Sequence, residues 1–240
     1  MVFLKPMKKK WFSLTLKAAP AVIVSCVLVL AGCFVYQSRG AVTADTGTES
    51  SPFILIDPGH GGADGGAVAA DGTAEKDLNL AIAGSLSDML RICGYSVQMT
   101  RETDISIHSP EAKTIRDQKI SDIKNRLQMY EQSRMTVSIH QNKFAQSQYS
   151  GTQVFYSGNN PGSQKLADAI RSSVVETLQP ENTRELKKAG KDIYLLNKTS
   201  VPAVIVECGF VSNAEELSRL KTGEYQKQMA CAIACGILSV

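Results

Sequence analysis

Three short apolar runs in this chain each stop at, or just before, a side chain able to bind protons or metals. They are Ile54-Leu55-Ile56-Asp57, leading into Pro58-Gly59-His60; Met135-Thr136-Val137-Ser138-Ile139-His140; and Val204-Ile205-Val206-Glu207. An apolar run of this length bounded by turn residues reads as a buried strand. Between the runs lie segments of helical spacing, such as Leu78, Ile82, Leu86 and Leu90. Buried strands alternating with helices constrain the fold, because parallel strands need crossovers that cover the faces of the sheet. The expected fold is α/β: a single domain with a twisted, mostly parallel central sheet flanked by helices on both faces.

The pattern predicts strands at Phe53–Asp57, Ser96–Thr100, Met135–His140, Gly151–Ser157, Ile193–Leu196 and Ala203–Glu207. Helices are expected from Glu75 to Cys93, from a Ser109-Pro110 start to about Arg134, from Gln164 to Leu178, after an Asn213 cap, and from Glu224 to about Leu238. Gly94 supplies a stop for the first of these.

Residues 1–51 read differently. Lys8-Lys9-Lys10 precede an apolar run from about Ala18 to Tyr36, and a polar Ser/Thr/Gly stretch follows. Residues 1–36 are expected to be a signal peptide, a lipoprotein signal or a membrane anchor, residues 37–51 a linker, and residues 52–240 the folded domain. Leu30-Ala31-Gly32-Cys33 resembles a lipoprotein box, the apolar run is just long enough to span a bilayer, and cleavage after Ala44 is a third route. The expectation is an exported domain tethered to the outer face of a membrane.

Charge agrees. The chain carries a formal +3, but six of its 26 Lys/Arg and only two of its 23 Asp/Glu fall in residues 1–51. The remainder is close to neutral, with no basic stripe to suggest nucleic acid. Of the six cysteines, Cys26 and Cys33 fall in the leader. Cys231 and Cys235, four apart on an apolar helix, are expected to be small buried thiols.

In open α/β sheets, function gathers at the carboxyl ends of the strands. His60, His140 and Glu207 each fall at such an end. Glu75 opens a helix beyond a glycine-rich turn, Gly59 to Gly66, that doubles the chain back toward His60. Two imidazoles and a carboxylate are the ligand set of a hydrolytic zinc site, with a second carboxylate to spare as general base. Asp57 and Asp64 are candidates to accept from the far nitrogen of a ligand histidine. His108, by contrast, reads as a hydrogen-bonded surface residue.

Five segments together then resemble a known family. They are Asp57-Pro58-Gly59-His60-Gly61-Gly62-Ala63-Asp64-Gly65-Gly66-Ala67, Glu75-Lys76-Asp77-Leu78-Asn79-Leu80, Thr100-Arg101-Glu102-Thr103-Asp104, Ser138-Ile139-His140-Gln141-Asn142 and Val201 to Asn213. In order, and from about Phe53 to the C-terminus, they are similar to the zinc-dependent N-acetylmuramoyl-L-alanine amidases of bacterial cell walls. The resemblance implies zinc (Zn2+) held by His60, Glu75 and His140, and Glu207 as the catalytic glutamate. It implies hydrolysis of the amide between N-acetylmuramic acid and the L-alanine of the stem peptide, with peptidoglycan strands as partner.

Within that family the chain looks most like the short spore-cortex amidases of endospore formers, whose action leads to muramic-δ-lactam, a mark used in germination. Arg101, Gln141 and Asn142 are expected at the substrate, with Gln141 bulking up the mouth of the site; Arg101 and Arg126 alternatively brace loops. An accessory activating protein is a further expectation. Two rival readings remain: a catalytically silent, membrane-tethered wall-binding or activator module, and a zinc peptidase acting on stem peptides.

Overall fold

A six-stranded sheet in the order β2-β1-β3-β6-β4-β5 organises the computed structural model, which describes residues 52–240. The strands are β1 (Ile54–Pro58), β2 (Val97–Met99), β3 (Met135–Asn142), β4 (Gln153–Tyr156), β5 (Lys187–Lys188) and β6 (Ala203–Phe210). All pairings are parallel except β4 with β6, which is antiparallel. The expectations for the leader, Cys33 and the linker lie outside the described residues. Among the described residues, no helix is long and apolar enough to cross a membrane.

Strand alternation sends side chains to two cores. Ile54, Ile56, Val137, Ile139, Val204 and Val206 face one side, beneath helices α1 (Glu75–Ile92), α3 (Pro161–Thr177) and α6 (Gly223–Leu238). Phe53, Leu55, Ala203 and Ile205 face the other, with Tyr130 from α2 (Ile115–Gln132) and Leu196 from α4 (Tyr194–Lys198). Helix α5 (Ala214–Leu220) follows β6, and the Asn213 side chain accepts from the backbone N–H groups of Glu215 and Glu216, as its sequence suggests.

Three local expectations change. Helix α2 begins at Ile115, and the capping hydroxyl is that of Thr114, which accepts from Asp117 N; Ser109 and Pro110 form a preceding turn. Ile193–Leu196 belongs to a short helix and not to a strand, since a four-residue apolar run carries too little periodicity to separate the two. The sheet edge is instead the two-residue β5. Finally, Cys231 and Cys235 are exposed: α6 turns Met229, Ala230, Ile233 and Ile237 inward and leaves these thiols outside.

Candidate metal centre and active site

The carboxyl ends of β1, β3 and β6 meet the N-terminus of α1. In the register of β3 with β6, His140 lies directly beside Glu207. Glu75, the first residue of α1, reaches over the end of the sheet and is 4 % exposed. His140 Nδ1 lies 2.9 Å from Glu75 Oε1, and His60 Nε2 lies 3.3 Å from Glu75 Oε2. One ligand atom from each of the three residues lies within 4.8 Å of the other two. The two imidazole rings meet edge to face at 5.0 Å.

The turn that carries His60 is shaped by close approach. A Cβ on Gly59 would sit 2.2 Å from the His140 ring, and one on Gly66 would sit 2.6 Å from both Glu75 Oε2 and His60 Cδ2. His60 itself has φ 64°, the one left-handed non-glycine residue among the described residues. Buried arginines hold that conformation. Arg126 donates to the His60 carbonyl at 2.8 Å and Arg101 to the Gly59 carbonyl at 3.0 Å. Arg101 also donates to the carbonyls of Pro58, Lys76 and Thr103.

Of the two aspartates expected behind the histidines, only Asp64 takes that place, accepting from or sharing a proton with His60 Nδ1 at 2.9 Å. It also pairs with Lys119 at 2.9 Å. Asp57 corrects the expectation. It contacts no histidine and lies fully buried beneath the site, accepting from Arg126, Tyr130, Thr100 and Ser138. Burial alone would raise its pKa, but the Arg126 charge and the three hydroxyl donors outweigh it and hold the carboxyl well below the usual range. These long-range partners carry no local sequence signal.

Gln141 also departs from its expected place at the site mouth. It is 3 % exposed, on the opposite side of β3 from His140, and its Nε2 donates to Asn79 Oδ1. Asn142 ends β3 and is half-buried, with its carbonyl accepting from Val211 N. Asn79, which the sequence reading did not single out, donates to both Glu75 Oε1 and the Gly59 carbonyl; its spacing four residues after Glu75 was the available signal. His108 bonds Ser106 at the surface, as expected.

Glu207 stands apart. Its Oε2 is buried without a hydrogen-bond partner. Burial pushes its pKa up to about 7; His140 and His60 pull it down and Glu75 adds to the rise. A cavity of about 220 Å³ opens over the two histidines, lined also by Gly59, Tyr194 and Leu195. Two imidazoles and a carboxylate leave room for a further ligand on a metal, and a neighbouring carboxylate with an unpartnered oxygen is suited to proton transfer there.

An α/β sheet with a candidate metal centre and a free carboxylate at its strand ends defines a hydrolase-like class of enzyme. Residues 54–239 match the sequence pattern of the N-acetylmuramoyl-L-alanine amidase family, and the chain belongs to that family: it is an N-acetylmuramoyl-L-alanine amidase acting on peptidoglycan. The germination-specific N-acetylmuramoyl-L-alanine amidase of Bacillus subtilis is 35 % identical over 191 residues, 79 % of each chain. Among solved structures, the CwlD amidase of Clostridioides difficile, in complex with the GerS lipoprotein, is 39 % identical with a TM-score of 0.75, covering 79 % of this chain and 98 % of that one. AmiC2 of Nostoc punctiforme is 31 % identical with a TM-score of 0.68, covering 80 % and 97 %.

Proposed function

We propose that this enzyme uses zinc held by His60, Glu75 and His140 to cleave the bond between the lactyl group of N-acetylmuramic acid and L-alanine. The observation that carries the reading is the convergence of these three ligand atoms, with Glu207 paired to His140 in the β3–β6 register and its Oε2 buried without a partner. A bound zinc ion supplies Lewis acidity at the scissile carbonyl and lowers the pKa of a water toward neutrality. Glu207 takes the proton of the attacking water and returns it to the departing nitrogen. The C–N bond breaks, a C–O bond forms, and the products are a lactyl carboxylate and a stem peptide with a free amino terminus. Asp64 orients His60, and Arg101 and Arg126 brace its loop. Asn142, at the end of β3, is kept in this reading as a substrate contact.

The germination-specific relative supports a role in germination; the reading assigns that role to the spore cortex, with stem-peptide removal as the step that precedes muramic-δ-lactam formation. The lipoprotein in the structural neighbour's complex supports an accessory protein for this chain as well. The leader supports export and a tether on the outer face of the membrane.

The test is the full-length protein in mild detergent, supplied with zinc and purified peptidoglycan, beside a Glu207→Gln variant, with products read by mass spectrometry. Stem peptides with a new N-terminal alanine are expected from the wild type alone, although both bind zinc. Cleavage between amino acids would instead establish a peptidase. Loss of muramic-δ-lactam from spores carrying only Glu207→Gln is the expected outcome in the cell; normal lactam content would remove the cortex role.

A further inference from the structure

Gln141 follows a proposed ligand directly, yet strand alternation turns it away from the cleft. His140 and Glu207 face one side of β3 and β6; Gln141 lies on the other, against the first turns of α1. There it is 3 % exposed, next to Asn79 at 0 % and Glu75 at 4 %.

The hydrogen bonds have a direction. Gln141 Nε2 donates to Asn79 Oδ1 at 3.2 Å, which orients that amide so that Asn79 Nδ2 donates to Glu75 Oε1 at 3.3 Å and to the Gly59 carbonyl at 3.2 Å. The backbone N–H of Gln141 donates to the same Glu75 oxygen at 3.0 Å. The β1–β3 register ends at Pro58 and Ile139, and the Gly59 carbonyl beyond it accepts from Asn79 and Arg101. The other oxygen of Glu75 accepts from Ala67 N at 2.8 Å. Each oxygen therefore accepts at least one N–H besides its histidine contact.

As packing alone, Gln141 is a poor choice. Its Oε1 is buried with no N–H or O–H partner, and an unsatisfied buried acceptor costs free energy that an apolar side chain of similar volume avoids. The glutamine amide also lies within hydrogen-bond reach of the Cys208 thiol, and its donor to Asn79 is the bond that leads to Glu75.

We propose that Gln141 and Asn79 form a buried amide bracket that positions Glu75 as a metal ligand, so that Gln141 governs zinc affinity without touching substrate. The proposal rests on the zinc reading above. Gln141 is thus a positioning residue. Groups behind metal ligands typically alter metal affinity about 10–100-fold.

The experiment compares full-length wild type with Gln141→Met, Asn79→Ala and the double variant. Zinc affinity is read by competition with a chromogenic chelator, stability of the metal-free protein by urea, and kcat and KM on peptidoglycan at saturating zinc. Gln141→Met is expected to bind zinc about tenfold or more weakly, with an unchanged KM and a metal-free urea midpoint no lower than wild type. Because Gln141 acts through Asn79, the double variant is expected to lose little more affinity than Asn79→Ala alone. Wild-type zinc affinity in Gln141→Met with a raised KM would make Gln141 a substrate contact and overturn the proposal. So would a lowered urea midpoint with unchanged zinc affinity, which marks a purely structural role. A His140→Ala control separates the two readings: if it binds zinc as tightly as wild type, the zinc centre itself is misplaced and the bracket falls with it.

Discussion

Arg126 Nη2 donates to the carbonyl of His60 at 2.8 Å, while Nη1 of the same guanidinium pairs with Asp57 below the sheet. One buried cation thus ties the strained turn that presents a proposed ligand to the core beneath it. The two residues lie 66 positions apart, with Arg126 on α2 and His60 just past β1. Arg126 also pairs with Asp122 at 2.6 Å.

Removing that cation leaves Asp57 buried and unpaired. Arg126→Ala is expected to destabilise the fold by about 3–5 kcal/mol, the usual cost of breaking a buried pair from one side. Arg126→Lys recovers only part of this, because an ammonium cannot reproduce the planar fork that reaches Asp57, Asp122 and two carbonyls at once. Urea unfolding of the metal-free proteins checks both, and a loss below 1 kcal/mol for the alanine variant contradicts the assignment.

Asp57 also makes an acid limb. Its folded pKa lies well below the ordinary carboxylate value of 3.8, so the stability it contributes is present above that value. As pH falls below about 4, the unfolded chain takes up a proton that the folded protein refuses, and stability declines. Melting temperatures measured from pH 2 to 7 are expected to fall less steeply below pH 4 in Asp57→Asn than in wild type, from a lower starting point. Equal slopes would remove Asp57 from the account.

Gly66 has no room for a side chain. With φ 67° and a Cβ position 2.6 Å from Glu75 Oε2, Gly66→Ala adds about 1–2 kcal/mol of backbone strain and pushes on the carboxylate proposed as a ligand. Zinc affinity is expected to fall more than tenfold, a larger change than strain remote from the centre produces. The measurement is chelator competition, beside Gly72→Ala as a comparison. Gly72 is likewise left-handed but has open space around its Cβ position, so that variant carries the strain without the push.

Metal removal should act on stability as well as activity. A chelator is expected to abolish amide hydrolysis and lower the melting temperature, and zinc to restore both. Zinc at a thousandfold excess over its dissociation constant stabilises by about 4 kcal/mol. Glu207→Gln is expected to keep this thermal response while remaining inactive. A chelated protein with unchanged melting and activity would refute the metal centre.

The four residues proposed for chemistry belong to elements whose type is written locally: Glu75 opens α1, His60 lies two residues past β1, and His140 pairs with Glu207 in strands that run on to Asn142 and Phe210. Apolar runs declare strands, the Leu78–Leu90 spacing declares α1, and a polar residue at the end of either lies where loops gather. The same local logic failed for Ile193–Leu196, where four residues suit a helix or a strand, and at Ser109, where the true capping hydroxyl lay five residues on. It failed for Cys231 and Cys235 because a helix that is apolar overall still has an outer face.

By itself, then, the chain's sequence determined the alternation of elements and the mostly parallel character of the sheet, while β3 and β6 run two and three residues past the expected ends at His140 and Glu207. The alternation and the parallel character are properties of neighbouring residues and of short periodicities. Only the tertiary structure decided that Asp57 serves Arg126 and Tyr130 instead of a histidine, that Gln141 turns from the cleft toward Asn79, and that buried arginines hold the His60 turn. Hydrogen bonds spanning 60 or more positions, as between Arg126 and Asp57 or Gln141 and Asn79, depend on how strands and helices stack, which no local pattern encodes.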